Sequence, residues 1–236
     1  NQVDYTFKSS VDGMTITVTH VSTNDTDTVK EFETLRFDDG DIEVSHDGSN
    51  LVLTGSGNAD NINVVGSVPV TIKGAGGADR IAGGSGDDTL TGSDGNDVMD
   101  GNFGADTLYG GTGADVIDGG AGDDTIEGSS GADIITGGLG SDTITGGDDL
   151  DVAVFAGSQS EYTLESSWDG QTITVRHVST NDTDTLTKFE TLRFSDGDIG
   201  VSYDGNTLVL TGTSGVSDNI KVVGSYAVKV LGLDGA

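Results

Sequence analysis

Nine aspartates stand nine residues apart in unbroken register: Asp79, Asp88, Asp97, Asp106, Asp115, Asp124, Asp133, Asp142 and Asp151. Five residues before each is a glycine, from Gly74 to Gly146, and position four of the unit is Gly in every unit but the ninth, where it is Asp149. Regularly spaced carboxylates can move protons in pairs or hold hard cations. The first needs a nucleophile or a base set against them, and the chain has no HExxH, no GxSxG and no His beside a repeated nucleophile. The second needs only oxygen ligands at repeated positions. Carboxylate and carbonyl oxygens suit Ca²⁺, and Mg²⁺ less well because it demands stricter octahedral geometry.

What must position these carboxylates is a fold made from nine-residue units. Position eight is apolar throughout: Ile81, Leu90, Met99, Leu108, Ile117, Ile126, Ile135, Ile144 and Ala153. Three residues around it suffice for a very short strand, and the six before it must reverse the chain. Two units then close one rung of about 18 residues, and stacked rungs pair their strands at ~4.8 Å. Odd units supply one inward ladder (Ile81, Met99, Ile117, Ile135, Ala153) and even units the other (Leu90, Leu108, Ile126, Ile144). One core residue in nine is a thin core, and stacked carboxylates repel, so the cation-free array is expected to be unstable. Glycine permits the positive φ angles that let carbonyls converge on one point.

A longer period of 157 residues encloses this one. Residues 4–55 align without gaps on 161–212 with 38 of 52 positions identical, including VSTNDTDT at 21–28 and 178–185 and FETLRF at 32–37 and 189–194. One residue is then gained before Asp218-Asn219-Ile220 matches Asp60-Asn61-Ile62. These flanks read as β, with alternation in MTITVTHV and turn signals at Asp12-Gly13 and Asp47-Gly48. Strands are expected near 4–10, 14–21, 33–37, 42–46 and 50–54, and again 157 residues later, with no helix. Pro69, in GSVPVTIKG, marks an irregular turn. The organisation expected is a flanking β domain (1–50), an N-terminal cap or irregular rungs (51–73), the nine-unit roll (74–154), a second flanking domain and C-terminal cap (155–207), and the start of a second, truncated roll (208–236). Solenoid ends need such caps because they expose strand edges.

Composition narrows the partners. Forty acidic against ten basic residues give a net charge of −30, which disfavours nucleic acid and anionic membrane surfaces. Absence of Cys excludes disulfides and thiolate sites. No apolar run approaches membrane-spanning length. The chain opens on Asn1-Gln2 without a signal peptide and ends on a glycine-rich block, which reads as a piece of a longer chain.

The units resemble the GGxGxDxUx repeats of RTX proteins, calcium-binding β-rolls of bacterial secreted proteins, closely over 74–154 and loosely over 55–63; 152–164 and 183–198 look like a segment that often follows such arrays. The resemblance implies an all-β fold, a right-handed parallel β-roll flanked by small β-rich domains. It also implies a Ca²⁺ between turn n and turn n+2. Turn n gives the carbonyls of positions two and four and the Asp; turn n+2 gives the carbonyls of positions one and three and its own Asp. The first site is then Ala75, Gly77 and Asp79 with Gly92, Asp94 and Asp97. Further ligands along the array are Gly84, Gly86 and Asp88; Gly101, Phe103 and Asp106; Gly110, Thr112 and Asp115; Gly119, Ala121 and Asp124; Gly128, Ser130 and Asp133; Gly137, Leu139 and Asp142; and Gly146, Asp148 and Asp151. The ninth turn, with Asp149 at position four, is expected to serve only as an upper partner. That gives about seven Ca²⁺, taking the net charge of −30 up by 14.

Other candidates have plainer readings. His20 and His177 occupy matched positions and are expected to pack or face solvent rather than bind zinc; His46 is replaced by Tyr203. Asp25, Asp27, Asp39 and Asp41 read as solvated turn residues before they read as a cation site. Asn24-Asp25-Thr26 and Asn181-Asp182-Thr183 fit a glycosylation sequon, and Trp168 replaces Val11. No catalytic, nucleotide or cofactor constellation is evident, so a non-enzyme is expected. Three functions remain open. One is a calcium-stiffened structural module of a long secreted or cell-surface bacterial protein, such as an adhesin. Another is the accessory and secretion region of a secreted enzyme such as a protease, lipase or alginate epimerase. The third is a carbohydrate- or receptor-binding module. The expected partners are Ca²⁺ and neighbouring repeats of the same chain, and RTX proteins usually leave the cell unfolded through a one-step (type I) secretion system.

Overall fold

The computed structural model describes residues 5–9, 15–20, 26–30, 34–37, 40–47, 50–167, 171–205, 207–212, 221–223 and 228–232. The first flank gives β1 (Tyr5–Ser9), β2 (Thr15–His20), β3 (Thr26–Lys30), β4 (Thr34–Phe37), β5 (Gly40–Asp47) and β6 (Asn50–Thr54). Then come β7 (Asn61–Asn63), β8 (Val70–Gly76), β9 (Arg80–Gly84), β10 (Thr89–Asp94), β11 (Val98–Asn102), β12 (Thr107–Thr112), β13 (Val116–Ala121), β14 (Thr125–Ser130), β15 (Ile134–Leu139), β16 (Thr143–Asp148) and β17 (Val152–Val154). The second flank gives β18 (Tyr162–Ser166), β19 (Thr172–His177), β20 (Thr183–Thr187), β21 (Thr191–Phe194), β22 (Gly197–Asp204) and β23 (Thr207–Thr211), and β24 (Val228–Leu231) closes the series. One short 3₁₀ turn, Gln159–Glu161, interrupts an otherwise all-β chain, and no α-helix occurs among the described residues.

The array is a parallel β-solenoid. Successive units alternate between two sheets, so strands two units apart pair in parallel with matching register. Both predicted ladders form. Ile81, Met99, Ile117, Ile135 and Ala153 align in one sheet, and Leu90, Leu108, Ile126 and Ile144 in the other, all nearly fully buried. The strands are longer than the three residues expected. They run from position seven through the glycines into position two or three, because position one also faces inward, as in the burial pattern of Val116–Ala121. A side chain there would break the packing, so the inward-facing glycine belongs to the strand as well as the turn.

Both ladders extend beyond the nine units. Leu53 on β6 aligns with Ile72 on β8, which aligns with Leu90; Ile62 aligns with Ile81. At the other end β20 pairs in parallel with β16, placing Leu186 over Ile144, and β21 pairs with β17, placing Leu192 over Ala153. The second flank thus divides between the sheets: β18-β19-β20 continue one, β21-β22-β23-β24 the other. The strands expected in the flanks are present wherever the chain is described. β3 and β20, in the polar segments TDTVK and TDTLT, were not expected, since they lack the alternation that marks a half-buried strand.

The duplication is visible in detail. β6 pairs β8 with Leu51 opposite Val70, and β23 pairs β24 with Leu208 opposite Val228. Phe7 bridges Val64 in the first copy as Leu164 bridges Val222 in the second. Trp168, Asp25 and Asp39 lie outside the described residues, as does the match at 218–220.

Candidate metal centres

All but one of the turns bend through two left-handed residues. Position two has positive φ in every unit, whether Gly (Gly111, φ 115) or not (Ala75, 80; Ser93, 85; Asn102, 70; Ser129, 81). Position four is likewise positive in eight of the nine units, Asp149 included (φ 80). Two left-handed residues flanking one extended residue turn the carbonyls of positions two and four toward the turn above. A side-chain carbon at Gly111 would fall within 3.0 Å of the Ser93 carbonyl, and one at Gly131 within 3.0 Å of the Gly113 carbonyl. The carbonyl of position three is engaged differently. It accepts the N–H of position four two units below, as in Gly77 N–H to Asp94 O at 2.9 Å and Gly113 N–H to Ser130 O at 2.9 Å.

The aspartates form two hydrogen-bonded columns. From the third unit on, Oδ1 accepts the backbone N–H of the aspartate two units below: Asp79 to Asp97 at 2.8 Å, Asp97 to Asp115 at 2.8 Å, Asp115 to Asp133 at 2.8 Å and Asp133 to Asp151 at 2.9 Å in the odd column. The even column runs Asp88 to Asp106, Asp106 to Asp124 and Asp124 to Asp142 at 2.7–2.9 Å. The other oxygen is left over. All nine Oδ2 atoms are buried without a hydrogen-bond partner, on side chains no more than 2% exposed. A buried carboxylate oxygen without a partner is costly, and nine in register mark a shared requirement.

Those oxygens point into a repeated cradle. A side-chain carbon placed at Gly110 would lie 2.5 Å from Asp115 Oδ2 and 2.7 Å from the Gly128 carbonyl; at Gly119 it would lie 2.5 Å from both Asp124 Oδ2 and the Gly137 carbonyl. Gly74, Gly92, Gly101 and Gly128 repeat the arrangement, while at Gly83 and Gly137 no such carbonyl is among the nearest atoms. The carboxylate of turn n and the position-one carbonyl of turn n+2 therefore converge where glycine leaves room. Among the described residues no three His, Asp or Glu side chains gather as a metal cluster. The donor set is instead carboxylate plus backbone carbonyl, the all-oxygen set that suits Ca²⁺ at 2.3–2.6 Å.

Burial also raises the pKa of these groups. It pushes Asp106 and Asp142 up to about 7, and Asp79, Asp88, Asp115, Asp124, Asp133 and Asp151 up to about 6. Donated backbone N–H groups oppose the rise, and neighbouring carboxylates add to it. A divalent cation would reverse both the desolvation cost and the repulsion.

A family model for the RTX calcium-binding nonapeptide repeat matches residues 73–108, 100–135 and 118–153. The array is an RTX repeat. The match ends within the ninth unit, and a comparison with curated proteins returns no match. The RTX columns, however, do not end there. Asp142 donates its N–H to Asp184 Oδ1 at 3.1 Å, and Asp151 donates to Glu190 Oε2 at 2.9 Å. Asp184 and Glu190, both in the second flank, take the places of the next aspartates in the even and odd columns. Asp184 is pushed up to about 6 by burial. The signal was in the sequence: Asp184-Thr185-Leu186 and Glu190-Thr191-Leu192 repeat the pattern of Asp88-Thr89-Leu90 without the preceding glycines.

His177 packs, as expected of it. Its ring stands edge-on to Tyr162 at 4.9 Å, and Nδ1 lies 3.0 Å from Thr180 Oγ1. Tyr162 also joins Phe155 and Phe194 in an aromatic cluster with centroids 5.2–5.5 Å apart.

Proposed function

We propose that this chain is a calcium-binding structural module, one period of a long repetitive protein that is secreted by or displayed on bacteria and that folds and stiffens on meeting Ca²⁺ outside the cell. The observation that carries the reading is the two columns of buried aspartates, each with one oxygen satisfied by the backbone and one with no partner. The RTX ligand scheme fits this division. Carboxylates and carbonyls of turns n and n+2 bracket each ion, with about seven ions over 74–154. The ions supply charge neutralisation and ligand bonds that one apolar residue per nine cannot supply.

The modular reading draws on the 157-residue duplication, on a second flank that continues both sheets beyond the array, and on β4–β6 of the first flank, which continue one of them at the other end. A rod of alternating rolls and flanks follows from repeating that junction. The repeat family and the solenoid are structural in kind, and no helix among the described residues is long and apolar enough to cross a membrane. The glycan-binding alternative draws less support, because Phe155, Tyr162 and Phe194 are turned into the flank's core. Circular dichroism during Ca²⁺ titration, with Mg²⁺ as control, tests the proposal. A cooperative gain of β signal with Ca²⁺ alone is expected, and a chain already folded in chelator overturns it.

A further inference from the structure

We propose that a further divalent cation is held where the odd column meets the second flank, between the ninth turn (146–151) and residues 188–190. The inference rests on the calcium reading above but uses residues outside the nonapeptide pattern. It also changes the expectation that the ninth turn has no ion of its own to hold.

Four observations converge on the junction. First, the ninth turn keeps the backbone of the turns below it. Gly147 has φ 138 and Asp149 φ 80, against φ 81 for Ser129 and 118 for Gly131 in the seventh. Asp149 departs from the motif in side chain but keeps the positive φ of position four. Second, Asp151 is fully buried and its Oδ2 has no partner, as in every turn that has another above it.

Third, the missing upper carbonyl is supplied by the flank. A side-chain carbon at Gly146 would fall within 3.0 Å of both Asp151 Oδ2 and the Lys188 carbonyl. Two units below, the equivalent point at Gly128 is shared by Asp133 Oδ2 and the Gly146 carbonyl. Lys188 reaches this position through a left-handed backbone, φ 55, while the residue itself stays exposed. Fourth, Glu190 takes the role of the next aspartate. Its Oε2 accepts the Asp151 N–H at 2.9 Å, matching the 2.9 Å bond from Asp133 to Asp151. The longer Glu side chain makes up for a strand, β21, that enters without the glycine turn before it.

The junction thus offers two carboxylates and the upper carbonyl in the arrangement used inside the array. At the end of the even column no matching flank carbonyl comes as close. At Gly137 the nearest atoms are Asp142 Oδ2, Asp142 Cγ and Ile144 Cδ1, with no flank carbonyl among them. A cation at the odd end would tie the flank to the roll through Glu190 and Lys188.

The test counts ions on the whole 236-residue chain by equilibrium dialysis against radioactive Ca²⁺, comparing wild type with Glu190→Gln. The amide can still accept the Asp151 N–H but carries no charge. One ion fewer per chain, with circular dichroism unchanged at saturating Ca²⁺, is the expected result; an equal count overturns the proposal. A wild-type chain that binds no Ca²⁺ instead removes the calcium reading itself, and this site with it. Should Glu190→Gln fail to fold, wild-type crystals soaked in Tb³⁺ decide. An anomalous peak bonded to Asp151 Oδ2 and Lys188 O supports the site, and peaks confined to the array overturn it.

Discussion

Within residues 74–154 each nine-residue unit buries one apolar side chain and one aspartate, and the aspartate keeps an oxygen with no protein partner. Within 155–211 the same two sheets bury Phe155, Tyr162, Leu164, Ile173, Val175, Leu186, Phe189, Leu192, Phe194, Ile199, Val201, Leu208 and Leu210. The array pairs its strands in parallel at fixed register; the flank uses antiparallel hairpins closed by short turns. One region carries a charge requirement along its whole length. The other closes that region with ordinary hydrophobic packing. Dependence on cations should therefore be a local property of the chain.

The largest effect is expected from removing the cation. In chelator, amide hydrogens of β10 to β15 should exchange with solvent orders of magnitude faster than in Ca²⁺, while the β18–β19 and β21–β22–β23 hairpins keep partial protection. Hydrogen exchange with mass spectrometry reads this directly. Uniform loss over both regions would mean that the flank folds only on the roll.

Proton occupancy comes next. In the folded array burial pushes Asp115 up to about 6 and Asp106 and Asp142 up to about 7, against 3.8 for the unconstrained side chain. The folded state therefore binds more protons than the unfolded state between about pH 4 and 7. Without Ca²⁺, the array is most stable at the acid end of that window and loses stability as pH rises through 6 to 7. With Ca²⁺ the ions must displace those protons, so the Ca²⁺ midpoint should rise as pH falls from 7 to 5. A midpoint independent of pH would show that the columns carry no such protons. Apart from Asp184 at the junction, whose carboxyl burial pushes up to about 6, the flank's packing is apolar and its contribution should change little over the same range.

These two predictions rest on features that differ in how plainly they are written. Phase makes the array legible. An aspartate and an aliphatic residue at fixed offsets, nine times over, are enough to define both ladders. The junction is harder to see because the flank keeps the end of the unit and drops its beginning. Asp184-Thr185-Leu186 and Glu190-Thr191-Leu192 retain the acid and the core residue, but no glycine pair announces them. β20 is hidden for a related reason. TDTLT has one apolar residue, and it is placed between β19 on one side and β16, 42 residues distant in sequence, on the other, so pairing decides its conformation where local pattern does not. Likewise the inward role of the position-one glycine follows from Asp Oδ2 lying beside it, a contact that turn chemistry alone does not suggest.

Core truncations compare the regions directly. Ile117→Ala should cost about 2–5 kcal/mol and Phe155→Ala about 3–5 kcal/mol. Because array folding and ion binding are coupled, Ile117→Ala should also raise the Ca²⁺ midpoint severalfold, and Phe155→Ala should raise it less. Thermal melts in saturating Ca²⁺ give the first quantity and Ca²⁺ titration the second. Equal midpoint shifts would erase the distinction between the regions.

The glycines sharpen it further. Gly113 has φ 126, and a side-chain carbon there would run into the Gly95 carbonyl below, whereas one at Gly57 meets nothing within 4 Å. Gly113→Ala should destabilise by about 1–3 kcal/mol, from backbone strain and overpacking together. Gly57→Ala should stay within about 0.5 kcal/mol of wild type. A matched pair of melts at one Ca²⁺ concentration separates them, and equal melting temperatures would mean that the turns tolerate side chains after all.

The smallest effect lies in the flank, at the Tyr162 hydroxyl, which donates to the Ala156 carbonyl just past the last array strand. Tyr162→Phe keeps the ring against Phe155, Phe194 and His177 and deletes this one bond. A loss of about 1 kcal/mol is expected, the usual net value of a single neutral hydrogen bond. Nothing in that contact involves an ion, so the Ca²⁺ midpoint should move less than about fivefold, the shift that about 1 kcal/mol would give if the whole loss were felt by a single bound ion. A larger shift would place Tyr162 among the groups through which the flank holds the last turn in its ion-binding shape.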